Sequence, residues 1–301
     1  MRQYTIAGEI IQISGEGLET LPGFDCFASH NVSDLESPGN ILLTISGLRT
    51  DAETPLIPGR DIPSGFTLTS KDESKSYRFF AKDNGYLFLI KRTDGYCLSA
   101  EINRRGNAFQ SSIRWNDDFG AESLTYICWI MFGVAILSRQ TVPFHASAVM
   151  YKNKTVLFLG ESGTGKSTHT RLWLKHIPDT ELLNDDCPFV RVEPDAGIQA
   201  YGSPWSGKTP CYKNKHTPVA AFVRLSQAPC NRIRRLTGID AIGALLPSCP
   251  LTFTSDKQLS ESIYAILSKV LQQTPVYYLE CLPDTAAAQS VFETLNRDKI
   301  L

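Results

Sequence analysis

The chain has 301 residues, enough for two domains or one large one. Hydrophobic residues make up 42% and charged residues 20%, the balance of an ordinary globular protein, and a net charge of −1 provides no global basic field for nucleic acid. The 8 cysteines are scattered with no C-x-x-C pair, which argues against a zinc site and for reduced, mostly buried thiols.

In chain order, Met1–Ile13 alternates polar and apolar residues instead of forming a continuous apolar core. A secretory signal is therefore not expected, and the expected location is cytoplasmic. Residues 1–118 read as a β-rich domain. Tyr4–Ile13, Ile41–Ile45, Tyr77–Ala81 and Tyr86–Lys91 are strand-like runs separated by turn clusters at Ser37–Asn40, Lys82–Gly85 and Arg92–Gly95. The Asn84-Gly85 and Asp94-Gly95 pairs are hairpin signals. No catalytic constellation stands out in this half. Scaffolding, substrate recognition and contact within a homo-oligomer all remain open roles for it. A linking helix is expected over 119–140. Its apolar run Leu124–Leu137, 14 residues bracketed by Glu122 and Arg139, is shorter than the ~20 residues needed to cross a bilayer. A buried helix packed between domains is expected, with no membrane contact.

Residues 141–301 read as an α/β domain with a mixed sheet. Pro143–Met150 and Thr155–Leu159 flank the polar turn Tyr151–Lys154, which predicts two paired strands. Strands are also expected at Glu181–Leu183, Phe189–Val192, Val219–Leu225 and Val276–Leu279, and helices at Ile239–Leu246, Leu259–Gln272 and Thr285–Asn296.

The most informative run is Gly160-Glu161-Ser162-Gly163-Thr164-Gly165-Lys166-Ser167-Thr168, which fits G-x-x-x-x-G-K-[ST]. The apolar Thr155–Leu159 precedes it, and Thr168–His176, free of Gly and Pro, follows it. Strand, glycine loop and helix are the parts of a phosphate cradle: glycines admit the ligand to the backbone, and amides and helix dipole converge on its oxygens. Lys166 is expected to meet the β- and γ-phosphates and to face solvent when no ligand is bound. Ser167 is expected to offer its hydroxyl to Mg²⁺.

Asp185 and Asp186 follow Lys166 by 19 and 20 residues, within reach of such a ligand. Phosphoryl transfer needs one carboxylate to hold Mg²⁺ and another to accept the proton of an attacking hydroxyl. Neighbouring residues on a strand point to opposite faces, so a local twist must aim the second one. His145, 21 residues before Lys166, could donate to a phosphate or shuttle a proton, or be structural. His169 and Arg171 could reach phosphate or face solvent. In the loop Gly202–Lys208, Lys208 could neutralise phosphate and Trp205 could line a pocket or sit in a turn as a buried ring. Arg232, Arg234 and Arg235 form a local basic cluster, equally readable as a solvated strand end.

Together, His145, Gly160–Thr168 and Asp185-Asp186 resemble the catalytic domain of bacterial HPr kinase/phosphorylase, whose core is shared with ATP-dependent phosphoenolpyruvate carboxykinase. His145–Val149, Gly165–Trp173, Asn184–Asp186, Gly202–Lys208 and Asn231–Arg235 also resemble a group of HPr-kinase-related bacterial proteins. The resemblance covers roughly residues 141–285. It implies a P-loop kinase domain of that fold. In it, Asp185 would be the general base, Asp186 and Ser167 would hold Mg²⁺, Lys166 would bind phosphate, and His145 would sit by the transferred group. The expected activity is transfer of the γ-phosphate of ATP to a hydroxyl of a protein serine or a small molecule. A nucleotide-binding regulatory protein without transfer activity and a carboxykinase acting on a keto acid are the alternatives.

Overall fold

The structure is a computed structural model that describes residues 1–15, 17–18, 20–29, 41–50, 66–69, 73–116, 120–207 and 209–301. The expected turn at Ser37–Asn40 and Lys208 lie outside the described residues. The chain divides into two compact units, Met1–Ile136 with Ser255–Lys257, and Leu137–Thr254 with Gln258–Leu301.

The first unit is built on eight strands: β1 (Arg2–Ile6), β2 (Glu9–Ser14), β3 (Ile41–Thr50), β4 (Phe66–Thr69), β5 (Lys75–Lys82), β6 (Gly85–Arg92), β7 (Cys97–Arg105) and β8 (Ala108–Asn116). They form one mixed sheet in the order β1-β2-β3-β8-β7-β6-β5-β4, with β3 parallel to both β2 and β8. The run Tyr4–Ile13 is two strands and not one. It folds at Ala7-Gly8, where φ values of 48° and 77° make the tight hairpin turn that sets Ile6 opposite Glu9. The β5–β6 hairpin forms where the Asn84-Gly85 signal stands, but Lys82 faces Gly85 across it, so the turn itself is Asp83-Asn84. Helix α1 (Gly120–Ile136) packs on β3, β7 and β8 and is buried around most of its circumference, as an all-round apolar helix must be. With the 3₁₀ turn Leu137–Arg139 it runs 20 residues at a mean hydropathy of 1.6, longer than the 14-residue apolar run. By length and composition alone that would cross a bilayer; 67% of its apolar window is buried in the molecule.

The second unit is mixed α/β. Its elements are β9 (Thr141–Pro143), β10 (Ala146–Tyr151), β11 (Lys154–Leu159), α2 (Lys166–His176), β12 (Thr180–Asp186), β13 (Phe189–Glu193), β14 (Gly197–Tyr201), β15 (His216–Gln227), β16 (Arg232–Leu236), α3 (Gly238–Leu245), α4 (Leu251–Thr254), α5 (Lys257–Gln273), β17 (Val276–Cys281) and α6 (Thr285–Arg297). The strands run β12-β10-β11-β15-β14-β13-β9, with β17 also on β15 and β16 on β17. The long β15 makes this branching possible. Its first residues, His216–Pro218, pair with β14, and Phe222–Gln227 pair with β17. Strands β11, β15 and β17 are parallel. Phe158, Trp173, Val223, Tyr277, Val291 and Leu295 form one buried cluster that seals α2 and α6 onto the sheet. Each such side chain contributes about 1.5–3 kcal/mol when removed from water.

This topology sets up the site. Strand β10 is antiparallel to both β11 and β12, so Ala146 lies opposite both Leu159 and Asp186. The start of β10 and the ends of β11 and β12 therefore share one edge. Open α/β sheets bind ligands beyond the carboxyl ends of their strands.

Candidate functional site

The glycine loop joins the end of β11 to α2. Gly163 (φ 87°) and Gly165 (φ 102°) adopt backbone conformations that side-chain-bearing residues rarely tolerate, which accounts for glycine at both. Gly165 is the N-cap of α2, and its carbonyl accepts the His169 amide at 2.8 Å. The helix is anchored from behind by the Ser147–Thr170 hydroxyl pair, 2.7 Å apart and buried.

Lys166 does not face solvent. It is 8% exposed, and its Nζ donates to the Gly160 carbonyl at 2.9 Å and the Glu161 carbonyl at 3.2 Å. The physical reason is local: a buried ammonium needs acceptors, and the nearest are the carbonyls of its own loop. Burial lowers its pKa; the Asp186 and Asp185 carboxylates oppose that shift, and Arg224 adds to it.

The two aspartates reach the loop by different routes. Asp185 is 5% exposed, and its Oδ1 accepts the Ser167 hydroxyl at 3.0 Å. Asp186 adopts φ 152°, a strained geometry for a non-glycine residue, costing on the order of 1–3 kcal/mol. Its Oδ1 lies 3.4 Å from His145 Nε2, with the two side chains 42% and 44% exposed. Burial lowers the His145 pKa, the Lys166 charge lowers it further, and Asp186 opposes both.

The acidic pair is held from the far side. Asn184 is fully buried; its amide donates to the carbonyls of Ser203 (3.3 Å) and Trp205 (3.0 Å) while its Oδ1 accepts the Cys187 amide at 2.8 Å. The Gly207 amide donates to the Asp185 carbonyl at 2.6 Å. A side chain at Gly207 would place its Cβ 2.8 Å from that carbonyl oxygen and 3.2 Å from the Asp186 Cβ.

The sequence-predicted residues thus separate into groups. His145, Lys166, Ser167, Asp185 and Asp186 converge on the glycine loop Gly160–Thr168. Trp205 does not line an open pocket; it is 5% exposed and packs edge-on against Phe189 at 5.9 Å. His169 reaches neither phosphate nor solvent. It is 3% exposed on the buried face of α2, 4.6 Å from the Phe158 ring, and burial lowers its pKa to about 4. Arg171 is exposed on α2, with Nη2 3.4 Å from the Thr168 hydroxyl. Sequence reasoning passed over Arg224 and Gln227, towards the end of β15, and Tyr278, within β17, which adjoin the loop. A signal was present only in hindsight of topology, as polar residues on two parallel strands that lie to one side of the strand leading into the loop.

Among the described residues no cluster of three or more His, Cys, Asp or Glu side chains forms a cation cage. The Ser167 hydroxyl and Asp185 carboxylate are a pair of hard oxygen donors beside a phosphate-type loop. That is the donor chemistry of Mg²⁺, which is commonly held by one or two carboxylates together with substrate phosphates.

No protein-family model matches the chain, and a search of curated proteins gave no match.

Proposed function

We propose that this protein is an ATP- and Mg²⁺-dependent phosphotransferase with an HPr kinase-like P-loop domain, moving the γ-phosphate to a hydroxyl of a protein serine or a small molecule. The observation that carries this reading is the division of labour between adjacent aspartates: Asp185 on the Ser167 hydroxyl at 3.0 Å, Asp186 beside His145 at 3.4 Å. The Gly160–Thr168 backbone cradles the phosphates, and Lys166 exchanges its loop carbonyls for phosphate oxygens when nucleotide enters.

Ser167 and Asp185 are the residues that would hold Mg²⁺, which when bound neutralises charge on the β- and γ-phosphates. Asp186 accepts the proton of the acceptor hydroxyl, and His145, 3.4 Å away, orients that carboxylate. This assignment reverses the order implied by the resemblance, because the hydroxyl of Ser167 binds the first aspartate and not the second. Positioning and charge neutralisation suffice for such a reaction without a covalent intermediate.

The test is incubation with γ-labelled ATP and Mg²⁺ against serine, polyols and lysate proteins. Label should appear on an acceptor with the wild type and not with Lys166→Ala. Calorimetry showing equal ATP affinity in Lys166→Ala and wild type would sink the phosphate-loop reading.

A further inference from the structure

Beside the glycine loop, on the side away from the acidic pair, lies a cavity of about 500 Å³. Its walls are loop residues 161–164, the end of β15 (Arg224, Leu225, Ser226, Gln227) and Tyr278 of β17. We infer that this cavity is a nucleoside subsite, in which a purine base stacks on Tyr278 while its phosphates run along the glycine loop towards Asp185 and Asp186. The inference rests on the phosphate-loop reading above and adds where the rest of the ligand goes and which end of it reacts.

Four observations converge on it. The volume falls within the ~300–1,000 Å³ typical of small-molecule sites. The cavity shares its wall with the loop that would hold the phosphates, and Gln227 Nε2 ties the two together by donating to the Gly163 carbonyl at 3.1 Å. Its ring is set in place: Tyr278 lies opposite Arg224 on β15 and Arg234 on β16, and the Arg234 guanidinium sits 5.1 Å from the ring centroid. Its lining is largely polar and includes groups of the kind that read a base edge or a ribose: the Ser226 hydroxyl, the Gln227 amide and the Arg224 guanidinium, the last also held by the Ala244 carbonyl at 3.2 Å.

Strand order then gives the ligand a direction. The loop follows β11; β10 and β12, which bring His145 and the aspartates, lie on one side of that strand, and β15 and β17 lie on the other. A linear triphosphate spanning the loop with its nucleoside over β15 and β17 presents its terminal phosphate to the acidic pair. The reverse orientation would leave the aspartates facing the nucleoside, where there is no phosphoryl group to transfer.

Titration calorimetry in Mg²⁺ with ATP and with inorganic tripolyphosphate tests this directly. The wild type should bind ATP about 5- to 150-fold more tightly than tripolyphosphate, the span that stacking one base on an aromatic ring supports. Tyr278→Ala should lose that advantage while holding tripolyphosphate within twofold of wild type, and Tyr278→Phe should keep it. Equal wild-type affinity for the two ligands would overturn the subsite without reference to any variant, so a misfolded Tyr278→Ala does not shield it. Equal losses for both ligands in folded Tyr278→Ala would overturn it as well. If tripolyphosphate and ATP both fail to bind the wild type, the glycine-loop reading itself falls, and the subsite with it.

Discussion

Both units carry exposed ion pairs, Lys213 with Glu181 among those of the second, but among the described residues the buried Lys and Asp side chains fall in the second alone. In the first, charged side chains meet at the surface: Arg2 with Asp25, Lys82 with Glu101, and Arg92 with Asp94 in pairs that keep substantial solvent exposure. In the second, Lys166 and Asp185 are 8% and 5% exposed and share one edge of the sheet with His145 and Asp186. Exposed pairs of the first kind contribute little, because water screens them and side-chain entropy opposes them. Buried charges are retained at a cost, and they need partners to persist. Both units contain a large mixed sheet, so strand content alone does not make a site. What differs is that in the second unit a glycine loop leaves β11 beside antiparallel β10, and β12 on the far side of β10 carries the acids at its end.

The sharpest way to break this contrast is at the acids themselves. Asp186→Asn should cut phosphoryl transfer by about 10²–10⁴, the usual worth of a placed base, while keeping nucleotide affinity. Asp185→Asn should instead raise the Mg²⁺ concentration needed for half-maximal activity. Turnover of Asp186→Asn within a few-fold of wild type, measured with γ-labelled ATP, would remove it from the mechanism.

A second effect concerns buried His169, whose folded pKa of about 4 lies below the ordinary 6.5. The unfolded chain binds the proton first as pH falls, so stability is fully present above 6.5 and declines as pH drops from there towards 4. The loss from this group between pH 7 and pH 4 is about 3 kcal/mol. His169→Leu should flatten the acid limb of a denaturation series by that amount; an unchanged limb would show that the histidine does not stay neutral in the folded state.

Glycine substitutions should separate the units more finely. Gly207→Ala forces a Cβ to 2.8 Å from the Asp185 carbonyl and should cost about 1–3 kcal/mol, with transfer falling alongside stability. Gly106→Ala, in the β7–β8 turn at φ +63° with no atom within 4 Å of the added carbon, should cost about 1 kcal/mol and leave transfer untouched. Denaturant midpoints and labelled-phosphate turnover on the two variants measure both. The smallest change is expected at Lys82→Ala, which breaks an exposed pair with Glu101 and should shift stability by less than about 1 kcal/mol. A larger loss would mean that the first unit uses its surface charge structurally after all.

Local chemistry made much of the second unit legible. Thr155–Leu159 and Thr168–His176 sit on β11 and α2 because an apolar β-branched run, three glycines and a helix-forming run each favour a single local conformation. The Tyr151–Lys154 turn, the strand carrying Asp185, and α3, α5 and α6 appear within a few residues of their expected positions for the same reason. The hairpin at Ala7-Gly8 was hidden because alternation continues across it, and alanine in a left-handed turn carries no signal. Strands β7, β8, β14 and β16 were passed over. Charged or amide residues such as Arg104, Gln199 and Arg234 interrupt their apolar pattern, and what holds these strands is cross-strand pairing.

The sequence by itself determined that a strand, a glycine loop and a helix occur in succession, and that an Asp-Asp pair and a histidine stand within reach of that loop. Those facts are local, written in residue type and spacing. Only the tertiary structure decided that Asp185 takes Ser167 while Asp186 lies beside His145, that His169 and Trp205 belong to the core, and that Arg224 and Tyr278 open a cavity beside the loop. Each of these depends on which strands lie side by side. Strand order comes from packing between residues far apart in the chain, and no stretch of neighbouring residues encodes it.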